Sequence, residues 1–190
     1  MFPNDIDKWV NFSPQTYPNS NVISIRQNIW GATTEKIYYI LERTFLIRYK
    51  KSFFTKMRVF LRRSGSEIWG KAFGDGFCTG CADYAVAFLT LARSCHIPCR
   101  IIHAFSESWL KTGSIFYIRA HFFVEYFDEE NDQWILVDPT KGKVLKSWPK
   151  EYVKDEVGED IWGMGLKSYF DMLRHAWRFR SQWRLKGTQL

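Results

Sequence analysis

The sequence predicts an α+β domain, and two observations lead there. Cys81–Ser94 is apolar on nearly every side, from Ala82, Tyr84 and Ala85 through Phe88 and Leu89 to Ala92. A helix with no polar face belongs in the middle of a domain. After it come three runs rich in β-branched and aromatic residues, Cys99–Phe105, Ile115–Phe127 and Gln133–Val137, which read as strands. Helix and strands therefore occur together in this chain. At 190 residues the chain suits one such domain.

Taken in order, residues 1–32 read as an N-terminal arm, because Met1–Trp30 is rich in Asn, Pro and Ser. Residues 33–150 form the core. Its first helix is expected over Thr33–Tyr49, capped by Thr33 or Thr34, with a stripe of Ile37, Ile40, Leu41 and Phe45. Lys50–Arg63 has no clean period. Gly65–Gly80 holds Gly65, Gly70, Gly74, Gly76 and Gly80, so it reads as loop and turn. The Cys81 helix ends before His96-Ile97-Pro98, since proline disfavours helix at the preceding residue. Asp138-Pro139-Thr140 closes the last strand, because Pro139 has no N–H for a ladder. Residues 151–190 are expected as a helical extension packed on the core, with an amphipathic helix over Leu166–Leu185.

The net charge of +7 is segregated. Arg48–Arg63 holds seven Lys/Arg and no acid, and the tail from Met172 onward holds five more without an acid. Such surfaces attract nucleic acid, acidic proteins or lipid headgroups, although a solvated basic face explains them with fewer assumptions. Aromatics among the tail's arginines (Trp177, Arg178, Arg180, Trp183, Arg184) suit single-strand stacking, and a packing helix explains them equally well. No apolar run reaches membrane-spanning length, and Met1–Val10 lacks a signal core. The expectation is a cytoplasmic protein without a membrane span.

Four cysteines, Cys78, Cys81, Cys95 and Cys99, lie within 22 residues, a clustering that points to chemistry or metal. Their spacing is near that of a zinc ribbon, but a continuous helix from Cys81 to Cys95 would hold the two pairs about 20 Å apart. A redox Cys78-Thr79-Gly80-Cys81 is the other reading, without the βαβ pattern that usually accompanies it. In its softer form, a Cys78–Cys81 disulfide would switch the nucleophile off.

Cys81 is the candidate nucleophile. It sits at the start of a buried helix, where unpaired N–H groups and the dipole favour a thiolate, and behind a glycine-rich loop. A base and an orienting group are still required. If Ile115–Phe127 and Gln133–Val137 form a hairpin around Asp128–Asn131, opposed residues sum to 259. Phe127 then faces Asp132, and His121 faces Asp138. Opposed Cβ atoms lie about 4.5–5.5 Å apart, within reach of an imidazole–carboxylate hydrogen bond.

Cys81-Ala82-Asp83-Tyr84-Ala85, then Arg93 and His96-Ile97-Pro98-Cys99-Arg100, resembles the transglutaminase-like core. His121-x-x-Val124-Glu125 and Trp134-x-x-x-Asp138-Pro139-Thr140 resemble that family's His and Asp motifs. The resemblance covers about Thr33–Thr140 and implies a papain-like/transglutaminase-like core, with the nucleophile helix packed on an antiparallel sheet. It places nucleophile, base and orienting acid on Cys81, His121 and Asp138. It departs in having His96 and Cys99 for the usual Gly and Ala, and Phe122-Phe123 for Ala-Trp, which would reshape the pocket floor. The implied activity is that of a cysteine protease or amidase acting on a peptide or protein through an acyl-enzyme. A glutamine acyl transferase, cross-linking or deamidating, is the alternative, and a non-catalytic binding module is the rival of another class. No cofactor, metal or calcium dependence is expected. Asp83 is expected to brace the helix start. His96, His103 and His175 are read as structural or exposed.

Overall fold

The structure is a computed structural model that describes residues 6–45, 47, 58–72, 78–114 and 117–187. Its helices are α1 (Ser20–Arg26), α2 (Thr33–Phe45), α3 (Gly65–Ala72), α4 (Cys81–Ser94), α5 (Glu107–Thr112) and α6 (Tyr169–Gly187). Its strands are β1 (Cys99–Ser106), β2 (Ala120–Asp128), β3 (Gln133–Asp138), β4 (Lys143–Leu145) and β5 (Tyr152–Gly158). The helix expected in the centre is there: every residue of α4 from Ala82 to Ser94 is buried. α1, α2 and α3 pack on it, as do β1 and β2. The strands form one antiparallel sheet in the order β4-β3-β2-β1-β5.

α4 stops as its sequence dictates. The N–H of His96 donates to Arg93 O and that of Ile97 to Ala92 O, the paired bonds that close a helix through a left-handed residue. That residue is His96, at φ 59°, where the related pattern carries glycine. Arg93, itself buried, donates to the carbonyls of Trp9, Cys99 and Glu159 and to Thr16 Oγ1, which fastens the N-terminal arm to the core.

Four expectations need revision. Gly65–Ala72 is helix, not loop. Ser64 Oγ accepts from Glu67 N–H at 3.3 Å, and Glu67 Oε2 accepts from Ser64 N–H at 2.7 Å; this reciprocal cap starts a helix whatever its glycine content. Gly65 is needed there, because a Cβ would lie 1.8 Å from Thr90 Oγ1 of α4. The arm contains α1, capped by Asn19, whose side chain accepts from Val22 N–H. The segment after residue 150 supplies edge strand β5 as well as a helix, and that helix runs over Tyr169–Gly187. The fourth revision is the β2–β3 register.

Opposed residues sum to 261 rather than 259: Val124 faces Val137 and Phe127 faces Trp134. Asp128 ends β2, its carboxylate accepting from Glu130 N–H and Asn131 Nδ2–H, and Asp132 closes the turn at φ 50°. The turn is therefore Glu129–Asp132, one residue later than the symmetric placement. Of the expected loop and strand, Gly74, Gly76, Ile115 and Phe116 lie outside the described residues, as do residues 48–57 of the basic run and the end of the expected first helix.

Two arginines of the basic tail are taken up in packing. Arg180 Nε and Arg184 Nε both donate to Leu110 O, and the Arg180 guanidinium lies over Trp109. They close the carbonyl end of α5, where cations are favoured.

Candidate active site

Cys81 begins α4, and three features shape the turn before it. Gly80 adopts φ 147°, a conformation that L side chains rarely take. Asp83, one turn into the helix, accepts from Thr79 N–H at 2.6 Å and Thr79 Oγ1–H at 2.8 Å. Arg63 pairs with the same carboxylate oxygen, and both ionic side chains are buried. Asp83 thus braces the helix start as expected, and it presents Cys81 at the exposed edge of a buried helix. Cys81 is half-buried, whereas Cys78 and Cys99 are buried; all four thiols are free. The unbroken α4 keeps Cys78 and Cys81 apart from Cys95 and Cys99, so the four cysteines do not gather into one zinc site.

His121, near the start of β2, hydrogen-bonds Asp138 at the end of β3, with Nε2 3.1 Å from Oδ1. The two-residue change of register makes them diagonal rather than opposed. Because the side-chain period is two, parity is kept and both side chains stay on one face. Diagonal neighbours remain within reach of long side chains. Asp138 is fully buried and also accepts from Thr140 N–H at 3.1 Å and Lys141 N–H at 3.2 Å. It is both a turn former and the imidazole's partner. The Lys141 ammonium stands 3.5 Å from Oδ2.

With Nε2 engaged by Asp138, the other ring nitrogen is left for Cys81. Burial pushes the Cys81 thiol up, but the hydrogen bond and charge of His121, with the backbone N–H groups of Phe122 and Ala82, outweigh it and lower the thiol below its ordinary value. Burial opposes the His121 cation, yet Asp138 and Cys81 raise it to about 10. Asp138 is held below the ordinary carboxylate range: burial acts against this, and the His121 hydrogen bond and charge overcome it. All three shifts favour a thiolate–imidazolium pair backed by a carboxylate. Cys78 behaves differently, since burial pushes it up to about 11.

Two rings clamp the imidazole. Phe123 meets it edge-on at 4.5 Å between centroids, and Tyr152 of β5 lies at 5.5 Å. Tyr152 was overlooked because β5 was. Its signal was weak: charged residues interrupt the apolar alternation of Tyr152–Gly158. Phe122 and Phe123, which stand where the family pattern has Ala-Trp, are both buried, on opposite faces of the sheet.

A helix-borne thiol, a strand-borne imidazole and a carboxylate, set between a helical layer and an antiparallel sheet, define a papain-like α+β protein. Comparison with known proteins makes this specific: residues 66–139 match the model of the transglutaminase-like superfamily core. The matched stretch starts later than the resemblance read from the motifs, and it contains Cys81, His121 and Asp138. A candidate cysteine protease from Cytophaga hutchinsonii superposes with a TM-score of 0.59 at 17% identity, covering 87% of this chain and 50% of that one. The chain thus spans half the length of that protein. EGTA-treated LapG of Legionella pneumophila superposes with a TM-score of 0.54 at 15% identity, covering 90% and 95%. At these identities the likeness is one of fold. A search of curated proteins gives no sequence match. Among the described residues, no helix is long and apolar enough to cross a membrane.

Proposed function

We propose that the protein is a thiol hydrolase of peptide or protein substrates, with Cys81 as nucleophile, His121 as acid and base, and Asp138 as the group that orients His121. The observation that carries this reading is the continuous chain from Cys81 through His121 to Asp138 at the start of a buried helix. The Cys81 thiolate attacks an amide or ester carbonyl, and a C–S bond forms as charge develops on oxygen. The Cys81 N–H at the helix start favours that charge. His121 then gives its proton to the leaving amine or alcohol, and the C–N or C–O bond breaks. Neutral His121 next takes a proton from water, which attacks the thioester and frees Cys81. Asp138 holds the ring and favours its cation throughout, without itself being protonated.

An acyl transferase would differ only in the second step, where an amine replaces water. The test is product analysis on a peptide library, with and without an added primary amine. Hydrolysed peptide or deamidated glutamine in both conditions, absent from Cys81→Ala, is the expected result. Amine adducts dominating over hydrolysis would reassign the protein as a transferase. Biological activity retained by Cys81→Ala would place it among binding modules, with the basic surface as the candidate contact for an acidic or nucleic-acid partner.

A further inference from the structure

Behind the candidate site, β1, β5 and α6 bring together three side chains that the Cys81 chemistry does not use. His103 Nδ1 lies 2.7 Å, and His175 Nε2 2.5 Å, from the same oxygen of Asp155, Oδ2. The side chains are 0%, 13% and 6% exposed respectively. Asp155 arrives there through a bulge. Opposite β1 the β5 register jumps from Glu156 at His103 to Lys154 at Ala104, which leaves Asp155 as the extra residue. Bulges of this kind re-aim one side chain and recur beside functional sites. Both imidazoles are also held in place by packing. His103 sits between Phe105 and Phe122, with centroids at 4.6 and 4.7 Å, and His175 stacks on Phe105.

We propose that His103, Asp155 and His175 form a second site, which binds a divalent transition-metal ion of the zinc class and clamps β5 and α6 to the centre of the sheet. Two imidazoles and one carboxylate suit zinc and its neighbours rather than calcium or magnesium, which take oxygen ligands. The three ligand atoms lie within 4.8 Å of one another. A tetrahedral ion with bonds of about 2.0–2.1 Å needs them roughly 3.4 Å apart, an adjustment on the order of 1 Å. Among the described residues this is the one cluster of such ligands. Three protein ligands leave a fourth position for water. The ion would be held by His103 Nδ1 and His175 Nε2, each neutral ring keeping its proton on its other nitrogen, and so tie three elements together. It would also stiffen the active-site strand, because the Phe122 ring packs on His103 while its N–H supports the Cys81 thiolate.

The site is independent of the proposed hydrolase reading, and its test is built to keep the two apart. Full-length Cys81→Ala protein, which cannot hold metal through its nucleophile, is stripped with chelator and titrated with Zn²⁺ and Co²⁺. We expect one equivalent to remain bound after gel filtration and the melting temperature to rise. The Co²⁺ spectrum should be tetrahedral without sulfur charge-transfer bands. Adding His175→Gln preserves a hydrogen-bond donor to Asp155 but removes a good ligand, and should weaken binding by at least about 100-fold. No saturable uptake by the Cys81→Ala protein overturns the proposal, as does sulfur ligation or undiminished affinity in His175→Gln. Should His175→Gln not fold, histidine NMR of the Cys81→Ala protein decides. Zn²⁺ must perturb the His103 and His175 rings, and unperturbed rings refute the site.

Discussion

Replacing Asp138 by Asn tests how far the carboxylate controls the imidazole. Asp138 Oδ1 receives three hydrogen bonds, from His121 and from the N–H groups of Thr140 and Lys141. The amide oxygen of Asn can keep the two backbone bonds, so the turn survives. What it loses is the charge opposite His121. A hydrogen bond to a charged group contributes about 1.5–3 kcal/mol, against roughly 0.5–1.5 for a neutral one. The difference, about 1–1.5 kcal/mol, corresponds to roughly one pH unit. His121 should therefore fall from about 10 by roughly one unit. The linked effect on stability has a definite sign. The folded value lies above the unfolded one near 6.5, so the contribution is complete below about pH 6.5 and lost as pH rises through about 10. Asp138→Asn shrinks that alkaline reserve. Histidine-labelled NMR titration of wild type and variant reads the midpoint, and circular dichroism confirms that the fold is intact. An unmoved midpoint in a folded variant would refute the assigned role of Asp138.

Two further substitutions probe how the nucleophile's helix is begun and ended. Asp83→Ala removes the carboxylate paired with the buried Arg63 and the acceptor of both Thr79 bonds, and should cost about 3–5 kcal/mol of unfolding free energy in urea; a loss below about 1 kcal/mol would mean the pair does not brace the helix start. His96→Gly removes an exposed side chain from a left-handed position. Relief of about 1–2 kcal/mol of backbone strain exceeds the roughly 0.5–1 kcal/mol entropy cost of glycine. The melting temperature should rise, and a clear fall would show that His96 holds a contact of its own.

The motif-bearing centre of the molecule was legible in the sequence, because its signals are local and strong. An all-round apolar helix, an Ile-Pro stop and three β-rich runs leave few alternatives. The His121–Asp138 pair was legible for a subtler reason. The register was misplaced by two residues, and a period of two returns the same side chains to the same face. A misplacement by one would have separated them. The elements that were missed carry mixed signals. In α3 the glycines outweighed a Ser64–Glu67 cap that was open to view. In β5 the acidic and basic residues hid a strand whose hydrogen bonds to β1 are long-range. The His103–Asp155–His175 cluster could not be foreseen, since it joins residues 72 positions apart in the chain and depends on a bulge that no local pattern announces.

The central claim is that His121 makes Cys81 a thiolate at neutral pH. Site-resolved alkylation of all four cysteines with iodoacetamide, from about pH 5 to about pH 9, in wild type and His121→Ala, tests it directly. The account predicts rapid labelling of Cys81 well below its ordinary range, abolished by His121→Ala, while Cys78 stays slow in both. Cys81 labelling as an ordinary thiol in both proteins would contradict it.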